Sequence, residues 1–188
     1  MLAYVMNDPL ATPKNIVLIG FMGCGKSTVG RELHQKLGYS LIDMDQIIEQ
    51  RAGKSITAIF ASEGEEAFRK METDLLEELA APGQERRIIS TGGGVVGRER
   101  NRLLLRQLGY VVWLHAPLEV ILERTERNRD RPLLDIEDPA ERIYQLMELR
   151  KPLYHGISHL KVDTKGLDSG ELATGILESA RYFFTSQS

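Results

Sequence analysis

Apolar residues in this chain recur at two rhythms. Short unbroken apolar runs predict buried strands at Asn15–Gly20 (NIVLIG), Tyr39–Asp45 (YSLIDMD), Arg86–Thr91 (RRIIST), Tyr110–Ala116 (YVVWLHA) and His159–Thr164 (HLKVDT). Between them the apolar positions fall three or four residues apart, the spacing of a helix with one buried face. Val29, Leu33 and Leu37 mark the first such segment, stopped by Gly38. Two short helices are expected around Gln46–Ala52 and Ser55–Phe60. Ser62 with Glu65 three residues later is a capping-box signal. It predicts that a longer helix opens there, carries Phe68, Met71, Leu75, Leu76 and Leu79, and ends at Pro82-Gly83. Further helices are expected over ERNRLLLRQLG, from Pro117, from Asp138-Pro139 through Arg150, and from Ser169 with Leu172, Ile176 and Leu177. In the stretch ERNRDRPLLDIED no amphipathic period survives. No internal repeat or low-complexity segment interrupts the pattern.

Strands alternating with helices argue an α/β fold with a parallel sheet, and right-handed crossovers place helices on both faces. In such sheets ligands sit at the carboxyl ends of the strands. Three polar stretches follow apolar strands here: GFMGCGKST, DMD and TGGG. The chain of 188 residues suffices for one domain with a sizeable core.

Composition narrows the classes. Hydrophobic residues make up 42% and charged residues 27%, an ordinary globular balance, and the formal net charge of −3 gives no broad basic field for nucleic acid. A single cysteine, Cys24, rules out an internal disulfide and fits a reducing compartment, so a cytoplasmic location is expected. No apolar run has the length of a membrane helix, and MLAYVMNDPLATPK does not read as a signal peptide.

Gly20-x-x-x-x-Gly25-Lys26-Ser27 matches the phosphate-binding P-loop pattern in full, between a strand and a helix. Backbone N–H groups from Gly23, Cys24, Gly25, Lys26, Ser27 and Thr28 can face inward around phosphates, backed by the helix dipole. Lys26 reaches the outer phosphates and the Ser27 hydroxyl can ligate Mg²⁺. Cys24 reads as a small loop filler rather than a nucleophile. No Asn-Lys-x-Asp guanine-reading motif appears.

Asp43 and Asp45 end the second predicted strand. Two carboxylates so spaced can divide the work, one near a metal and one accepting a proton or hydrogen bond from an acceptor hydroxyl. The glycine run Gly92–Gly94 needs either a tight turn or a close backbone approach to a ligand. Arg69, beside the core-facing Phe68, points off the apolar stripe, and Arg150 is read as a helix-ending cation. His115 reads as a strand-end histidine and Trp113 as core.

Taken together, the chain resembles the shikimate kinases over nearly all its length. The resemblance rests on the opening Gly20–Leu33, on LIDMDQIIEQRAGKSITAIFASEGEEAFR (Leu41–Arg69), on STGGG, on RPLL (Arg131–Leu134) and on RKPLY (Arg150–Tyr154). It implies a three-layer P-loop kinase fold with a five-stranded parallel sheet, a substrate-binding helical region over about 46–79 and a lid over about 126–135. It implies ATP-dependent phosphorylation of the shikimate 3-hydroxyl on the route to chorismate and the aromatic amino acids. By the same resemblance Asp45 binds ring hydroxyls and is the favoured base, while Arg69 and Arg150 grip the shikimate carboxylate beside Gly92, Gly93 and Gly94. Arg131 comes from the lid to the transferring phosphoryl group, Ser27 ligates Mg²⁺, Asp43 holds it through water, and Arg124 lies near the nucleotide. The expected partners are ATP and shikimate, without nucleic acid or membrane, and the expected state is a monomer. Where relatives often carry an arginine near the adenine, this chain has DTKGLD. A gluconate-kinase-like enzyme and a non-catalytic nucleotide-binding regulator remain the alternative readings.

Overall fold

Asn15 to Ile19 forms strand β1 and is buried along its whole length. A computed structural model describes residues 14–83, 85–126 and 138–186. In it β1 is the central strand of a five-stranded sheet, flanked by β3 (Arg87–Ser90) and β4 (Tyr110–His115), with β2 (Ser40–Asp43) and β5 (Leu160–Asp163) at the edges. All four pairings are parallel and the order is β2-β3-β1-β4-β5. The register aligns Leu18 with Ser90 and Val112, and Asp43 with Ser90. The P-loop, the end of β2 and the glycine run therefore emerge side by side from one edge.

The period-2 alternation of the strands builds two cores. Ile16, Leu18, Ile88, Val112 and Leu114 face one side, against α1 (Lys26–Leu37) and α7 (Ser169–Thr185). Val17, Ile19, Ile89, Val111 and Trp113 face the other, against α2 (Met44–Ala52), α3 (Ile56–Leu79) and α4 (Glu99–Leu108). These are the three layers that the alternation of elements predicts, completed by α5 (Leu118–Glu126) and α6 (Pro139–Ile157). Helix α6 serves both cores: Ile143 and Leu146 pack into the first, Tyr154 and Ile157 into the second. None of the described helices is long and apolar enough to cross a membrane.

Three expectations about elements are corrected. The capping box does not form. Ser62 sits inside a helical turn, where its hydroxyl donates to the Ala58 carbonyl at 2.7 Å. The break in α3 falls at Gly64, whose φ of 83° only glycine adopts without strain. Asp45 lies in the first turn of α2 rather than at a strand end, because the Asp43 side chain caps that helix by accepting from Gln46 N at 3.3 Å. Helix α6 runs seven residues beyond Arg150, through Pro152, so Arg150 is buried mid-helix and caps nothing.

Candidate active site

The loop joining β1 to α1 curls through two left-handed glycines, Gly23 (φ 75°) and Gly25 (φ 97°). Lys26 opens α1 and is nearly buried; its ammonium donates to the carbonyls of Gly20 (2.8 Å) and Phe21 (2.9 Å). Arg124, on α5, reaches across and donates to the Gly23 carbonyl at 2.9 Å. The Ser27 hydroxyl donates to Asp43 Oδ2 at 3.2 Å. Together they offer two hard oxygen donors, which suits Mg²⁺, an ion that takes one or two protein oxygens and leaves the rest to water and phosphates. Beside them opens a cavity of about 450 Å³, which Asp43, Asp45, Thr91, Gly93 and Arg124 share with the loop from Gly23 to Thr28. It extends past β5 to Thr164 and Leu167, in the stretch where the departure DTKGLD falls, and to Leu172 on the helix that follows.

At the other side of Asp45 a second set of charges gathers around the glycine run. Arg69 is not a solvated charge. Its Nη1 donates to Glu72 Oε2 at 2.7 Å, its Nη2 to Glu65 Oε1 at 2.8 Å, and the guanidinium lies 5.3 Å from the Phe68 ring centre. Burial works against this charge, but Glu72 and Glu65 outweigh it and hold the group above the usual arginine value. Glu72 is fully buried, and its second oxygen, Oε1, has no hydrogen-bond partner. Burial, only partly offset by Arg69, pushes its carboxyl up to about 6.

The reason for three consecutive glycines is visible here. A Cβ on Gly92 would lie 2.6 Å from Glu72 Oε1 and 2.9 Å from Asp45 Oδ1, and one on Gly94 would lie 2.5 Å from Arg69 Nη1. Neither residue has a positive φ, so space and not backbone conformation demands glycine. The close approach is to the protein's own charged side chains. Gly93, between them, packs on the P-loop, with a Cβ position 3.1 Å from Met22 N. From α6, Arg150 Nη1 donates to the Gly93 carbonyl at 3.3 Å and its guanidinium lies 5.5 Å from the Phe21 ring centre. Burial pulls Arg150 below the usual arginine value, yet a guanidinium keeps its charge at neutral pH.

Lys26, Ser27, Asp43, Asp45, Gly93 and Arg124 thus line one cavity, and Arg69, Gly92, Gly94 and Arg150 adjoin it. Arg131 and the expected lid lie outside the described residues, apart from the end of α5. Trp113 is core, as its strand position predicts. Two neighbours escaped the sequence reading. Glu72 had a signal: it falls four residues after Phe68 and three before Leu75, a charge at a core position of the helical stripe. Tyr154, whose hydroxyl donates to the Gly93 carbonyl, had only its place at the end of RKPLY.

Chemically, the arrangement provides a phosphate cradle, a carboxylate near it, and two cations on separate helices flanking one backbone turn. A family model described as shikimate kinase matches residues 22–181. The shikimate kinase of Thioalkalivibrio sulfidiphilus is 46% identical over 169 residues, covering 90% of this chain and 86% of that protein. The solved structure of shikimate kinase from Acinetobacter baumannii in complex with shikimate is 41% identical, covers 90% of this chain and 93% of that one, and superposes with a TM-score of 0.85. A gluconokinase structure from Sinorhizobium meliloti covers 93% and 95% but at 20% identity and a TM-score of 0.60, which is likeness of fold alone. Family model, relative and superposed structure agree with the motifs and with the sheet order, and the chain belongs to the shikimate kinase family.

Proposed function

We propose that this enzyme transfers the γ-phosphoryl group of ATP to the 3-hydroxyl of shikimate, giving shikimate 3-phosphate and ADP. One observation carries the assignment of roles: Arg69 and Arg150, from different helices, flank a glycine turn that also touches Asp45 and the P-loop. A small anionic triol needs this combination of a charge-assisted clamp for its carboxylate and an acid to orient its hydroxyls.

The P-loop N–H groups hold the phosphates, and Lys26, now resting on loop carbonyls, turns to the oxygens of the transferring group. Ser27 and Asp43 are the residues to hold Mg²⁺, which neutralises charge on the outer phosphates when bound. Arg124 stands at the nucleotide side of the loop. Asp45 orients the 3-hydroxyl and accepts its proton as the new O–P bond forms. The bond to the β-phosphate oxygen breaks, and its electron pair leaves on ADP. The compartment we assign is the cytoplasm, which supplies ATP and keeps Cys24 reduced.

A coupled assay of ADP release tests the function. Release is expected with ATP and shikimate together, and neither without an acceptor nor with gluconate in its place. Equal rates with gluconate, or release indifferent to acceptor, would overturn it.

A further inference from the structure

Arg150 and Tyr154 stand one turn apart on α6, on the same face of the helix. Both donate to one acceptor, the Gly93 carbonyl. The Arg150 contact is long, at 3.3 Å, and the tyrosine contact is short, so the hydroxyl is the principal donor. The tyrosine ring is buried and stacks on Trp113, with centroids 5.8 Å apart and planes 26° from parallel. Packed in this way, the hydroxyl has little freedom to look elsewhere.

Gly93 is where the two halves of the site meet. It packs on the P-loop at Met22 and Gly20, while Gly92 lies against Asp45 and Glu72 and Gly94 against Arg69. The N–H groups of Gly92, Gly93 and Gly94 donate to no acceptor among the described residues. In a trans peptide the carbonyl and the following N–H point in opposite directions. Turning the Gly93 carbonyl toward α6 therefore turns the Gly94 N–H away from α6 and leaves it available as a donor.

We infer that Tyr154 is a positioning residue for the phosphoryl transfer: by holding the Gly93 carbonyl it fixes the Gly93–Gly94 peptide against the P-loop and leaves the Arg150 guanidinium to the substrate carboxylate. The inference rests on the function proposed above. With the hydroxyl gone, Arg150 is the remaining donor to that carbonyl, and its charge is drawn from the carboxylate into the backbone contact.

Tyr154→Phe tests this, since it removes the hydroxyl and keeps the stacked ring. Steady-state ADP release is measured with shikimate and ATP varied separately, together with the melting temperature. The KM for shikimate should rise about tenfold, the loss of one well-placed hydrogen bond, with the KM for ATP within about twofold of wild type. Discrimination between shikimate and its neutral carboxamide should shrink, because the carboxylate clamp is what weakens. A lowered melting temperature with the shikimate KM and this discrimination unchanged marks a merely structural hydroxyl and overturns the inference. If Tyr154→Phe does not fold, Trp113→Phe loosens the stack while keeping the hydroxyl. A shikimate-selective KM rise there supports the inference, and equal or absent changes in both KM values overturn it. Wild-type protein with no shikimate-dependent ADP release overturns the proposed function and this inference together, whereas an active wild type beside an unchanged variant overturns the inference alone.

Discussion

Asp45 is the residue on which the proposed chemistry turns. It lies against Gly92 and lines the same cavity as Lys26 and Ser27. Asn at this position keeps the size and can still orient a hydroxyl, but it cannot take a proton. If Asp45 is a working base, kcat of Asp45→Asn should fall by about 10²–10⁴-fold with ATP binding nearly intact; kcat and KM both near wild type would remove it from the site. Gly94 offers a complementary test. Its φ of −97° accepts alanine, and the atoms a Cβ would meet belong to the flexible end of Arg69. Gly94→Ala should displace that guanidinium from Glu72, raise the shikimate KM about tenfold or more and lower the melting temperature, because a buried carboxylate loses its partner. A large loss of stability with an unchanged KM would contradict this reading of the glycine run. Glu72 sets a pH dependence. Its carboxyl, pushed up to about 6, is ionised above that pH and orients Arg69; below it the charge is lost. The shikimate KM should therefore rise as pH falls through about 6, and Glu72→Gln should flatten that rise. The stability sign is opposite. A carboxyl raised on folding contributes stability that is present below its unfolded value, near 4.5, and is lost as pH rises through about 6. Fold and site thus prefer different pH ranges at this residue.

At the scale of elements, α3 is where local structure and site geometry meet. Its two parts are joined at Gly64, and Arg69, Glu72 and Phe68 all lie after the break. The break sets the direction in which the second part approaches the glycine run. A Cβ at Gly64 meets nothing within 4 Å, so the obstacle to substitution is the backbone conformation alone. Gly64→Ala should cost about 1–3 kcal/mol, the penalty of an L-residue held at positive φ with an extended ψ of 169°, or else straighten the break and move Arg69. Chemical denaturation and the shikimate KM separate these outcomes, and a variant unchanged in both would show that the break is indifferent to residue type. Helix α6 does the comparable work on the other side. Its passage from one core to the other carries Arg150 and Tyr154 past the carboxyl end of β3, where both reach Gly93.

For the whole molecule, the site is assembled from the P-loop, α2, α3, the glycine run, α5 and α6, so ligand binding should register in global stability. A ligand present at about a hundred times its Kd adds about 2.7 kcal/mol to unfolding. For a chain of this size that raises Tm by about 5–11 °C. ADP with Mg²⁺ and shikimate should each produce a shift of this order, and gluconate should produce none. A gluconate shift equal to that of shikimate would count against shikimate as the acceptor.

Much of this was legible in the sequence because it is local. Strand runs, helix periods and the P-loop pattern depend on neighbours a few residues away, and the five strands, their alternation with helices and the phosphate cradle all followed from them. The pair Asp43 and Asp45 was visible, but the helix cap that divides their positions was not. The Ser62–Glu65 signal misplaced a break that the conformational freedom of Gly64 decides. Partnership across the fold was out of reach, because it joins segments far apart in the chain. Nothing near Arg69 shows that it is held, partly buried, between two carboxylates under Gly94, and nothing near Arg150 shows that its helix continues to bring Tyr154 to the same carbonyl. The glycine run states the difference most clearly: its composition announced a close approach, and only the packing of α2, α3 and α6 around the end of β3 determined what approaches.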